Sequence, residues 1–142
     1  MNYVADIEKY LRKIDNIIRK KGREILKDFN ITTPQFIALQ WLITSGDLTI
    51  GELSNKMSLA CSTITDLIDR MEKNQLVSRV KDNKDRRIVR VKVKKKGHDL
   101  IKDVLERRQE YLLEKLRDLD EEKKISLANN LKELHKAMEQ EN

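Results

Sequence analysis

The stretch LACSTITDLIDRMEKNQLVSRVKDNKDRRIVRVKV, Leu59 to Val93, changes period halfway along. Leu59, Ile64, Leu67, Ile68 and Met71 fall on one face at helical spacing, and Ser58 is placed to cap that helix. Its outer face carries Ser62, Thr63, Asp66, Asp69, Arg70 and Lys73, small and polar toward the start. Beyond it, LVSRVK (76–81) and RIVRVKV (87–93) are β-branched runs around DNKDR, a turn rich in Asp and Asn, which predicts an antiparallel hairpin. On its second strand Val89, Val91 and Val93 are expected to pack on the helices while Arg90, Lys92 and Lys94 face water.

The charge of the chain is gathered in the same place. Between Arg79 and Lys96 ten Lys or Arg stand against two Asp, a net +8, which leaves 20 basic against 22 acidic residues, a net −2, elsewhere. A concentrated cationic stripe on an otherwise near-neutral chain attracts a polyanion, most often nucleic acid and less often an anionic membrane surface. At 142 residues, 39% hydrophobic and 38% charged, with four Gly and one Pro, the composition suits a single helical domain.

Upstream, NITTPQFIALQWLITSGD offers Thr33 as an N-cap with Pro34 at the first helical position, and Gly46 ends that helix. In LTIGELSNKM, Thr49 and Glu52 form a capping box ahead of inward-facing Leu53 and Met57. Two short helices, a tight connection and a third helix with a polar leading edge make a helix-turn-helix, although a three-helix bundle of no special function has the same periodicity. The hairpin that follows decides between them, because a hairpin straight after a helix-turn-helix is a wing. Lys81, Lys84, Arg86 and Arg87 lie at its tip, where cations meet phosphates beside a groove. A hairpin made lysine-rich only for solubility is the plainer alternative.

Long amphipathic helices flank this module. Ile7, Leu11, Ile14, Ile18, Ile25 and Phe29 form a stripe over residues 3–29; Leu100, Ile101, Val104, Leu105, Leu112, Leu113 and Leu116 form another after Gly97; and Asp120 caps a last helix with Ile125, Leu127, Leu131, Leu134 and Met138. A winged lobe of about 65 residues buries its own core, so this extra apolar surface calls for a partner, most simply a second copy of the chain. An intrachain bundle is the alternative. The expected architecture is therefore mainly α (α+β): one domain over 1–142, with a winged helix-turn-helix lobe over about 30–96 and dimerisation helices over about 1–29 and 97–142. A symmetric dimer sets two recognition helices roughly 34 Å apart, one duplex turn, for an inverted repeat.

Other chemistry is thinly represented. The N-terminus MNYVADIEKY reads as neither a signal peptide nor a membrane span, so a cytoplasmic location without membrane association is expected. Cys61 has no disulfide partner, and His98 and His135 stand apart from it and from each other, so no metal site and no cofactor are expected. Gly-rich phosphate loops, nucleophile elbows and Cys/His couples are missing, which argues against an enzyme. Cys61 itself is read as a small residue filling space beside the turn rather than a reactive thiol.

ITTPQFIALQWL, LTIGELSNKM, STITDLIDRMEKNQLVSR, DNKDRR and KKKGHDL together resemble the MarR family of bacterial winged helix-turn-helix regulators, over nearly the whole chain. The most specific pieces are the Asp-x-Arg of Asp85 and Arg87 and the TxLxDRxEK run from Thr65 to Lys73. The resemblance implies a homodimeric repressor, less often an activator, with the recognition helix in the major groove, Arg87 in the minor groove and Asp85 holding that arginine. It also implies a small aromatic or phenolic effector in a cleft drawing on the N-terminal helix, Phe36 or Trp41 and the helix after the wing. Relatives that sense oxidants carry a cysteine in the first helix, which this chain lacks.

Three positions depart from the family pattern. Asp66 stands where arginine is common and is suited to accept from cytosine N4. Gln75 replaces the glycine that usually ends the recognition helix, which leaves Asn74 as the expected left-handed cap. Lys94 replaces a capping threonine and adds a phosphate-seeking charge.

The function expected is that of a transcriptional regulator binding double-stranded DNA. Ser62, Thr63, Thr65 and Asp66 would read bases, Arg70, Lys73, Arg79, Lys84, Arg90 and Lys92 would hold phosphates, and Asp85, Arg86 and Arg87 would form the wing contact. The alternative is a winged-helix module for RNA or a protein partner.

Overall fold

The computed structural model describes residues 2–140. Among them the elements run α1 (Tyr3–Asp28), α2 (Thr33–Ser45), α3 (Ile50–Met57), α4 (Cys61–Lys73), β1 (Val77–Lys81), β2 (Val89–Val93), α5 (Lys95–Lys115) and α6 (Glu121–Glu139). This is the expected mainly helical, winged helix-turn-helix architecture.

Helix starts follow local chemistry. α2 is capped by Thr32 and not by Thr33: the Thr32 hydroxyl accepts the Gln35 amide at 3.3 Å, and the Gln35 side chain accepts the Thr32 amide at 3.1 Å. A capping box needs Glu or Gln three residues on, and three residues after Thr33 stands Phe36. α3 has the expected Thr49–Glu52 box, Gly46 ends α2 at φ 85°, and Asp120 caps α6 by accepting the Lys123 amide at 2.8 Å.

Two turns differ from expectation. Ser58 adopts φ 54° and ψ 43° as the left-handed residue ending α3, and the Ser58 and Leu59 amides both return to the Ser54 carbonyl. Held there, Ser58 lacks the extended backbone an N-cap needs, so α4 opens at Cys61 behind Ala60 with no side-chain cap. At the other end of α4 the left-handed residue is Gln75, at φ 64°, while Asn74 stays at φ −85°. The Leu76 amide reaches the Met71 carbonyl at 2.9 Å and the Gln75 amide reaches Glu72 at 3.0 Å, a pairing that fixes position 75, one residue later than expected, as the reversal point.

The core is built where these elements converge. Leu39 of α2, Leu53 of α3, and Ile64, Ile68 and Met71 of α4 are buried, and Val77 and Val91 of the hairpin close over them. Each such side chain contributes about 1.5–3 kcal/mol of burial. Ile25 and Leu26 from α1 and Ile101 and Val104 from α5 complete the cluster. The strands pair antiparallel with Val77 opposite Val93 and Lys81 opposite Val89. Leu48 adds one further bridge, its carbonyl accepting the Val91 amide at 2.7 Å.

Val89 departs from the expected inward alternation: it lies at the tip end of the ladder, past the reach of the helices, and is 44% exposed. Arg90 departs in the other direction, its half-buried side chain turned back onto carboxylates. Leu59 belongs to the connection before α4 rather than to its buried stripe and is also exposed.

Gly97 brings the start of α5 against the hairpin. A Cβ there would lie 2.6 Å from the Leu76 carbonyl oxygen and 2.7 Å from Val93 Cγ1, distances no side chain tolerates.

Packing divides the chain into two units, one up to Arg107 and one from Arg108, with the boundary inside α5. In the first, α1 buries only Ile25 and Leu26 and leaves Ile7, Tyr10, Ile14 and Ile17 at least half exposed. In the second, α6 buries no residue, and Ile125, Leu127, Leu131 and Met138 are exposed. No helix among the described residues is long and apolar enough to cross a membrane.

Candidate nucleic-acid interface

One face of the first unit carries the polar side of α4 and the hairpin. Ser62, Thr63, Thr65, Asp66, Arg70 and Lys73 are all exposed on α4, because Ile64, Ile68 and Met71 fix the opposite side in the core. These six offer hydroxyl, carboxylate, guanidinium and ammonium groups along one helix, the mixture that base edges and phosphates recognise.

The wing tip is organised by Asp82. One of its carboxylate oxygens accepts the amides of Lys84 at 3.0 Å and Asp85 at 2.9 Å, closing the turn, and the other accepts the Arg90 guanidinium at 2.7 Å. The Arg90 bond, then the two amides, hold the Asp82 carboxyl below the usual carboxylate range. Asp85 in turn grips Arg87 through both carboxylate oxygens, each at 3.0 Å, and accepts the Arg87 amide at 3.1 Å. That grip, first through the side chain and then through the amide, depresses the Asp85 carboxyl. The Arg87 side chain is nevertheless 90% exposed, so the fork fixes the direction of the guanidinium while leaving it open to a partner.

The cations of the stripe fall into two groups. Arg79 is bound to Asp69 and Glu72, both at 2.6 Å, and its amide donates to Glu72, which ties β1 to the last turns of α4. Arg90 is bound to Asp82, to Glu52 at 3.0 Å and to the Asp47 carbonyl at 3.3 Å. Arg70, Lys73, Lys84, Arg86 and Lys92 are exposed, and among the described residues no carboxylate lies within ion-pair distance of them.

Sequence reasoning did not single out Glu52, Asp82 and Glu72 as partners of these arginines. The only local signal was Asp82 at the head of an Asx-rich turn. Glu52 lies 38 residues from Arg90, and nothing in either neighbourhood pairs them.

Cys61 is exposed rather than packed beside the turn, which corrects the space-filling reading. His98 is exposed, and His135 Nδ1 lies 3.0 Å from a Glu139 carboxylate oxygen. Among the described residues no group of ligands suits a metal ion. Phe36 is buried in the core and Trp41 is half-buried under the Lys56 ammonium, 5.2 Å from its ring centre. An open cleft of about 630 Å³ lies elsewhere, between the start of α2 and the outer face of α4, lined by Pro34, Gln35, Leu59, Thr63, Leu67 and Arg70 among others.

A winged helix-turn-helix with an open polar third helix and a cationic hairpin defines the class of helix-turn-helix regulators. The comparisons with known proteins narrow that class. The MarR family pattern matches residues 31–89. The HTH-type transcriptional regulator YsmB of Bacillus subtilis is 53% identical over 138 residues, 97% of this chain and 94% of that one. The HTH-type transcriptional repressor MdtR of the same organism is 26% identical over 96% of this chain and 88% of its own. A MarR family protein of Bacillus stearothermophilus has a similar solved structure, with a TM-score of 0.87 and 49% identity over 96% of both chains. The chain belongs to the MarR family. It is a transcriptional regulator of that type and not an enzyme.

Proposed function

We propose that the chain binds double-stranded DNA sequence-specifically in the cytoplasm, as a homodimeric repressor of an inverted-repeat operator that responds to a small aromatic or phenolic effector. The observation that carries this reading is the Asp85–Arg87 fork, an exposed arginine directed by a two-point carboxylate contact on a hairpin that follows an open polar helix. Ser62, Thr63, Thr65 and Asp66 read base edges in the major groove, and Arg87 enters the minor groove beside it. Arg70, Lys73, Lys84, Arg86 and Lys92, which have no ion-pair partner among the described residues, neutralise phosphates and supply the salt-dependent part of the affinity. Arg79 and Arg90 serve the same face through the elements they tie together.

The dimer is supported by the apolar side chains that α1 and α6 each leave in water, since unpartnered stripes of that length mark an interface. Repression is the sense named for MdtR. The test is selection of bound duplexes from a random pool at moderate salt. Enrichment of an inverted repeat with half-sites about one turn apart is the expected result. Retention of duplexes with no shared motif, or preference for RNA, would overturn sequence-specific DNA recognition.

A further inference from the structure

Arg90 sits in the sequence as one more lysine-stripe cation, yet its Nε and one Nη are directed into the protein. Its Nε donates to Asp82 at 2.7 Å, and one Nη donates both to Glu52 at 3.0 Å and to the Asp47 carbonyl at 3.3 Å. Both carboxylates have a second task. The Glu52 oxygen that takes Arg90 also accepts the Thr49 amide, so it belongs to the cap that starts α3. Asp82 closes the wing turn through the amides of Lys84 and Asp85, and the carboxylate of Asp85 grips Arg87. A continuous series of polar contacts therefore runs from the helix-turn-helix, through Glu52, Arg90, Asp82 and Asp85, to the exposed guanidinium of Arg87.

We infer that Arg90 is a positioning residue, which sets where Arg87 stands relative to α4 and does not itself bind a phosphate. The inference rests on the DNA reading above. Its physical basis is that a two-stranded hairpin alone is a flexible ribbon, held here by its base, by the Arg79 pairs with Asp69 and Glu72 of α4 and by the Leu48–Val91 bridge, all of which lie away from the tip. A planar guanidinium fork joined to carboxylates on two different elements removes the remaining freedom at the tip, and a lysine ammonium lacks the geometry to do so.

The test uses the full chain and a duplex recovered by its own selection, with affinities measured over a range of salt for the wild type, Arg90→Gln, Arg90→Lys, Arg87→Ala and the double variant Arg90→Gln/Arg87→Ala. Arg90→Gln is expected to weaken binding about five- to tenfold, the scale of coupled polar networks, with the salt slope unchanged. Arg90→Lys should behave like Arg90→Gln. The Arg87→Ala loss should be smaller in the Arg90→Gln background by about the five- to tenfold that Arg90→Gln itself costs, because that cost is exerted through Arg87.

Glu52→Gln and Asp82→Asn keep the Thr49 cap and the turn acceptors while removing the charges Arg90 binds, so they should reproduce the effect with the fold intact. A slope that falls by about one on Arg90→Gln, full rescue by Arg90→Lys, or additive losses with Arg87→Ala would make Arg90 a phosphate contact and overturn the inference. A wild-type chain that selects no duplex would sink the DNA reading itself, a result distinct from additive losses on a duplex that is bound.

Discussion

Replacing Gly97 with alanine sets two effects of opposite sign against each other. Gly97 is the third residue of α5, and by helix propensity alone alanine there adds about 1 kcal/mol of stability. The structure predicts the reverse. The new Cβ would meet the Leu76 carbonyl oxygen at 2.6 Å, Val93 Cγ1 at 2.7 Å and Leu39 Cδ2 at 3.2 Å.

None of these atoms is free to withdraw. The Leu76 carbonyl accepts the Lys94 amide at 2.9 Å, Val93 is paired with Val77 in the ladder, and Leu39 is fully buried. Overpacking of this kind costs about 1–3 kcal/mol, and with two contacts inside 3.0 Å the upper end applies. The net change is a loss of about 2 kcal/mol, equivalent to a fall in Tm of roughly 5–10 °C. Thermal unfolding followed by circular dichroism at fixed protein concentration measures it, since the midpoint of a dimer moves with concentration. A variant as stable as the wild type or more so would refute the close approach of α5 to the hairpin.

Three further outcomes follow from the same contacts. Gln75→Gly should raise stability by about 0.5–1 kcal/mol, since Gln75 holds φ 64° where a non-glycine residue is strained; a lower midpoint in urea would contradict this. Glu52 is lowered by the Thr49 amide and hydroxyl ahead of Arg90, and Asp82 and Asp85 are lowered by Arg90 and Arg87. Their stabilising effect is in full above the unfolded values of about 3.9–4.3 and is lost as pH falls through the depressed folded values; a Glu52→Gln/Asp82→Asn/Asp85→Asn variant should flatten that acid decline, and an unchanged slope would count against the ion pairs. Arg87→Ala should weaken DNA binding by about 1–3 kcal/mol, more than Lys84→Ala does, and equal losses in a titration would deny Arg87 a groove contact.

What the sequence revealed was local. Gly46, the Thr49–Glu52 box, the Asp120 cap and the period switch after Met71 depend on residues within a few positions of one another, so their chemistry can be read directly. The α2 cap falls on Thr32, one residue before the expected Thr33, and Ser58 ends α3 instead of starting α4, because adjacent hydroxyl residues differ only in what stands three positions on, or in a turn that claims one of them first. Gln75 was hidden because left-handed residues are inferred from glycine and asparagine, and here the pairing of Leu76 with Met71 dictates the position instead.

The candidate site divided the same way. The exposed face of α4 and the Asp85–Arg87 fork were legible from spacing and resemblance. The engagement of Arg79 and Arg90 was not, because it depends on carboxylates brought in by folding, from as far away as Glu52.

The most direct measurement is a hydroxyl-radical footprint of a selected duplex bound by the wild type and by Arg87→Ala. Hydroxyl radicals attack sugars lining the minor groove, so an inserted arginine leaves a local mark. The account predicts two symmetric protected segments flanking the half-sites, which fade for Arg87→Ala while the protection of backbone sugars around α4 persists. Identical footprints for the two proteins, or protection on one side only, would contradict a dimer that reads the major groove with α4 and the minor groove with Arg87.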